Sequence, residues 1–70
     1  MFNLLRQARQ LNMLSLEQLS KRCGLSVASL SNFETGKSIP TIEAQIRIAR
    51  ALNVERKSIF TMGDLDYDKH

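Results

Sequence analysis

Seventy residues bound a single domain that buries only about 60% of the surface its unfolded chain would expose, so the fold has to be compact and rich in local contacts. One cysteine, Cys23, rules out an internal disulfide, and a single histidine, His70, leaves no donor set for a metal cluster within one chain. The net charge of +3 divides unevenly, with nine Arg or Lys against four Glu over residues 1–63 and three Asp against one Lys over residues 64–70. A basic body suits a polyanion such as nucleic acid, because each neutralised phosphate releases condensed counterions. No apolar run approaches the roughly 18 residues of a membrane span, and no basic stretch followed by an apolar run and cleavage site opens the chain, so a cytoplasmic protein with no membrane contact is expected.

Sustained apolar and polar alternation is absent, which predicts an all-α chain. The first helix is expected from Asn3 to Leu11, with Leu4, Leu5, Ala8 and Leu11 as its apolar stripe and Asn12 in the left-handed conformation at its end. A second helix starts after Ser15, which has Gln18 three residues on, the pairing in which side chains and backbone cap each other reciprocally. Leu16, Leu19 and Cys23 face inward, and Gly24 stops the helix by taking a positive φ without steric cost. Ser26 caps a third helix, Val27 to Thr35, with Leu30 and Phe33 at helical spacing and Gly36 beyond its end. Pro40 and Thr41 open a fourth, whose buried face is expected at Ile42, Ile46, Ala49 and Leu52, with Asn53 ending it. A short fifth helix is predicted from Glu55 to Thr61. The domain is therefore placed at residues 1–63, and residues 64–70 read as an acidic, flexible tail.

Two short helices joined by a glycine-containing turn, the second opened by a hydroxyl cap, meet the requirements of a helix-turn-helix. Ser20 supplies the small residue needed where the two approach, and Leu19, Cys23, Leu25, Leu30 and Phe33 fill the wedge between them. A plain helical hairpin in a small bundle would use similar caps and spacing. The outer face of the third helix favours the groove-reading motif: Val27, Ala28, Ser31, Asn32 and Thr35 are short and uncharged, whereas ordinary solvated faces carry Glu, Lys and Arg.

Leu19, Gly24, Leu25-Ser26, Leu30, Phe33-Glu34, Gly36-Lys37, Pro40-Thr41 and the run from Ile48 to Val54 together resemble the Cro/repressor-type helix-turn-helix family, also called xenobiotic-response-element-like, over roughly Leu4 to Phe60. The resemblance implies a five-helix, lambda-repressor-like domain that binds operator DNA as a two-fold dimer, usually to repress transcription. It places Val27, Ala28, Ser31 and Asn32 against base edges, and Leu16, Lys21, Ser26, Lys37 and Ser38 against phosphates. It also places Arg9 and Glu34 in contact between the first and third helices. Asn32 carries the donor and acceptor that fit adenine bidentately, while Val27 and Ala28 offer apolar contact to a thymine methyl, so an A·T-rich half-site is expected. Four positions depart from the family's pattern: Met13 where glycine is common, Leu16 where a polar residue is common, Gln45 where an apolar one is frequent, and Glu55 in place of a hydroxyl cap.

One short helix reads too few base pairs for useful specificity, which predicts a homodimer. Ile59, Phe60 and Met62, with Leu65 and Tyr67 behind them, are candidates for its interface. Closure of the monomer's own core is the alternative for Ile59 and Phe60. Two other functions fit the same residues: the antitoxin of a toxin-antitoxin pair that also regulates its own operon and binds a protein partner through the tail, and a protein-interaction domain without DNA binding. An enzyme is not expected, since there is no positioned histidine, no paired carboxylates and no phosphate-cradling loop, and Cys23 lies on an inward face. No cofactor is expected either.

Overall fold

The computed structural model describes residues 2–61. Its elements run in the order β1 (Phe2–Asn3), α1 (Leu5–Leu11), α2 (Leu16–Cys23), α3 (Val27–Thr35), α4 (Ile42–Leu52), α5 (Arg56–Ile59) and β2 (Phe60–Thr61). None of the helices is long and apolar enough to cross a membrane. Met62, Leu65, Tyr67 and the acidic residues 64–70 lie outside the described residues.

Side chains set the helix starts. At α2 the Ser15 hydroxyl accepts from the Gln18 backbone N–H at 3.0 Å while the Gln18 carboxamide oxygen accepts from the Ser15 N–H at 2.8 Å, so two helix-end donors are satisfied reciprocally. Ser26 caps α3 through the Ser29 N–H at 3.0 Å, and Thr41 caps α4 through the Ala44 N–H at 3.1 Å. Glu55 makes no such bond, and α5 has only four residues. The helix expected to continue to Thr61 gives way to extended backbone, with Phe60 and Thr61 pairing antiparallel with Asn3 and Phe2. The Leu4 N–H donates to the Ile59 carbonyl at 2.7 Å and ties the same two ends together. The helical architecture thus carries one small ladder that the sequence pattern does not announce, because two residues per strand are too few to show alternation.

The core gathers Leu5, Leu19, Leu30, Ile48, Leu52 and Phe60, all 2% exposed or less, with Cys23 and Ile59 beside them. Ile59 and Phe60 therefore close the chain's own core. They have 4% and 1% of their surface left, too little to form an interface with a second copy.

Two stripes differ from expectation. In α1 only Leu5 and Ala8 are buried; Leu11 is 85% exposed and Leu4 37%. Helix α1 begins at Leu5 rather than Asn3, because Asn3 belongs to β1 and its side-chain oxygen accepts from the Leu5 N–H at 3.0 Å. Asn12 is not left-handed; Met13 takes that conformation instead, at φ +58°. In α4 Ile42 and Ile46 stay partly exposed rather than entering the core, and the buried stripe is Ala44, Gln45, Ile48, Ala49 and Leu52. The helix turns this face inward because it packs on both α2 and α5. Gln45 is wholly buried yet satisfied: it donates to the Pro40 carbonyl at 3.1 Å and accepts from the Arg56 guanidinium at 2.9 Å.

Candidate nucleic-acid interface

Gly24 and Ser26 fix the angle at which α3 leaves α2. Gly24 sits at φ +78°, where a side chain would be strained, and the Ser20 hydroxyl donates to the Leu25 carbonyl at 2.5 Å, clamping the last turn of α2 onto the loop. Ser20 thus contributes a bond as well as small size. On the inner side of α3, Leu30 is fully buried and Phe33 packs against the core. Val27, Ala28, Ser31, Asn32 and Thr35 are therefore left on the opposite side, at positions i, i+1, i+4, i+5 and i+8 of one helix face. Val27, Ala28 and Thr35 are exposed, and Ser31 and Asn32 are half-buried.

Asn32 has an arrangement suited to reading. Its backbone carbonyl accepts from the Lys37 N–H at 2.9 Å, the Ser38 N–H at 3.3 Å and the Thr35 hydroxyl at 3.3 Å, which pins the end of α3. Its side-chain amide has no hydrogen-bond partner among the described residues. A donor and an acceptor held side by side on a fixed backbone can meet the N6 and N7 edge of adenine. Gly36, left-handed at φ +83°, then turns the chain so that Lys37 stands exposed and Ser38 half-buried directly after the helix.

The remaining positions are placed unevenly. Lys21 is exposed on α2 and makes no ion pair among the described residues, so its ammonium can reach a phosphate. Ser26 spends its hydroxyl on the cap, accepting from the Ser29 N–H and donating to the Ser29 hydroxyl at 3.0 Å. Leu16 packs its side chain against the core, so any phosphate contact there falls to the backbone N–H at the start of α2.

Arg9 and Glu34 meet across α1 and α3. The Arg9 guanidinium donates through Nε at 2.6 Å and through Nη2 at 3.1 Å to the two carboxylate oxygens, and through Nη1 to the Leu14 carbonyl at 2.9 Å. Glu34 has 2% of its side chain exposed and Arg9 13%. The hydrogen bond to Glu34, followed by its charge, holds the Arg9 guanidinium above its ordinary pKa, against the opposing effect of burial. Arg6 adds a third donor to Glu34 at 3.2 Å from a half-exposed position. Arg6 lies three residues before Arg9, one turn back on the same face, and that spacing is the sequence signal for it. Asn3 donates to the Phe33 carbonyl at 3.2 Å. Helix α3 is thus braced from the N-terminal part of the chain at Phe33 and Glu34, on the side away from Val27, Ala28, Ser31, Asn32 and Thr35.

A family model described as helix-turn-helix matches residues 5–58, more than half of the chain and the whole of the α1 to α4 arrangement. No curated protein matches the sequence.

Proposed function

The chain belongs to the Cro/repressor-type helix-turn-helix family and is a DNA-binding transcription regulator, and from that premise we propose that it is a repressor that binds a palindromic operator as a homodimer. In this reading Val27, Ala28, Ser31 and Asn32 face base edges in the major groove. Lys21, Lys37, Ser38 and the backbone N–H groups at the starts of α2 and α3 hold phosphates. The observation that carries it is the outer face of α3: five short, uncharged side chains, with the Asn32 amide uncommitted, on a helix braced by Arg9, Arg6 and Asn3. Such a surface confers little solubility but allows close approach to base edges. Methyl contacts from Val27 and Ala28 with one bidentate amide favour an A·T-rich half-site, and two copies would read half-sites about 34 Å apart. The reading assigns no enzymatic activity and no cofactor.

Selection of bound sites from random duplex DNA, followed by footprinting on the enriched sequence, tests this reading. It predicts an inverted repeat with A·T-rich half-sites about one helical turn apart. Binding that depends only on salt, with no sequence enriched, would overturn it.

A further inference from the structure

Ile59 and Phe60 lie in the core and Met62 outside the described residues, and among the described helices α4 alone carries two exposed large apolar side chains, Ile42 at 48% and Ile46 at 39%. We propose that this ridge of α4 is where two copies of the chain pair, the two helices running antiparallel about a two-fold axis at Ile46. The proposal rests on the dimeric reading above and names its surface and registry.

The charges beside the ridge are self-complementary in that arrangement and in no parallel one. Glu43 precedes Ile46 by three residues and Arg50 follows it by four, so they lie about 4.5 Å and 6 Å along the axis on either side. Seven residues apart, they stand within about 20° of each other around the helix, on the same side of the ridge. A two-fold axis through Ile46 reverses the helix direction and keeps that side. Glu43 of each copy is therefore brought level with Arg50 of the other, within about 1.5 Å along the axis, and the pair forms twice. Both side chains are exposed, and neither makes an ion pair within the chain among the described residues.

The shape agrees with the charge. At the far end of α4 an open concavity of about 400 Å³ is lined by Arg50, Asn53, Val54 and Glu55. The same antiparallel register brings Ile42 of one copy level with Arg50 of the other, which lines that concavity, on the side of the ridge away from the Glu43 and Arg50 pair. Each copy thus presents a knob at one end of the ridge and a hollow at the other, as an isologous contact requires. Ile39, 60% exposed, directly follows Lys37 and Ser38, so an exposed apolar side chain joins the proposed phosphate-binding loop to the start of α4.

Sedimentation of the full chain, free and on the selected operator, tests the proposal with Glu43→Arg, Arg50→Glu and the two together. Each single reversal sets like charges face to face twice and should raise the dimer dissociation constant by at least about tenfold. The double reversal restores the complementary pair, and should return the constant to within about threefold of the unaltered chain. Ile46→Arg, at a position 39% exposed in the single chain, should raise the dimer dissociation constant by at least about tenfold, with circular dichroism showing that the helical fold is kept. A dimer indifferent to all four variants, or reversals that do not rescue each other, would overturn the ridge and leave the dimeric reading standing. An unaltered chain that stays monomeric on operator DNA would overturn both.

Discussion

Replacing Glu34 by Gln tests whether the recognition helix is held to the body of the domain by its ion pair. The carboxylate, 2% exposed, accepts two bonds from Arg9 and one from Arg6. Glutamine offers one acceptor and turns an amide towards Arg9, which is 13% exposed and cannot reach water freely. Breaking a buried pair costs about 3–5 kcal/mol, and the lower end applies because Arg9 keeps its bond to the Leu14 carbonyl. About 3 kcal/mol corresponds to a fall in melting temperature of roughly 10–25 °C for a domain of this size. Arg9→Met should cost a similar amount, because Arg6, 52% exposed, contributes little as the sole remaining partner. The double variant removes both charges, so its loss should fall short of the sum by about 2 kcal/mol. Urea unfolding of the four proteins, followed by circular dichroism, supplies the cycle. The Arg9 pKa is raised, so its share of the stability is fully present below its ordinary, strongly alkaline value and is lost only as pH rises through the higher folded value. As far as Arg9 governs it, the coupling should be the same at pH 6 and pH 9. A coupling below about 0.5 kcal/mol would refute the reasoning, since that is the scatter expected of independent sites.

Three further outcomes follow from particular residues. Met13→Gly should stabilise the domain by about 0.5–1 kcal/mol in urea unfolding, because Met13 holds φ +58° with 88% of its surface exposed and so loses little packing in exchange for relief of left-handed strain. Gln45→Leu should destabilise by about 1–3 kcal/mol in the same assay, since the Pro40 carbonyl and the Arg56 guanidinium both lose a partner at a fully buried position. Lys21→Ala should weaken binding to all DNA sequences alike and reduce the slope of log affinity against log salt by about 1, read from titrations at several salt concentrations.

Features written in neighbouring residues are legible in the sequence itself. The Ser15 and Gln18 pairing, the caps at Ser26 and Thr41, and the left-handed stops at Gly24 and Gly36 each depend on residues within one turn of one another, and they delimit α2, α3 and the start of α4. Features that depend on distant partners are not. Ile42 and Ile46 make an attractive stripe at i and i+4, yet α4 turns Gln45 inward instead. The partners that make a buried amide tolerable are Pro40 and Arg56, five and eleven residues away. Leu11 has the spacing of a core residue but lies in a seven-residue helix that Asn3 and the ladder to Phe60 shorten and orient. At the end of α1, asparagine is the better residue for a positive φ, and the chain places methionine there. At the candidate site, side-chain chemistry is readable from the outer face of α3 and Arg6 from its spacing to Arg9, whereas the bond from Asn3 to the Phe33 carbonyl joins residues thirty apart and has no local signal.

The most direct test of the account compares the unaltered chain with Asn32→Ala on the selected operator and on its single-base variants. If Asn32 reads adenine from α3 in the major groove, the variant should lose roughly 1–3 kcal/mol of binding and become indifferent to substitution at one base pair in each half-site, with discrimination elsewhere intact. A uniform loss at every sequence, or none at all, would contradict the assignment of α3 as the element that reads the DNA.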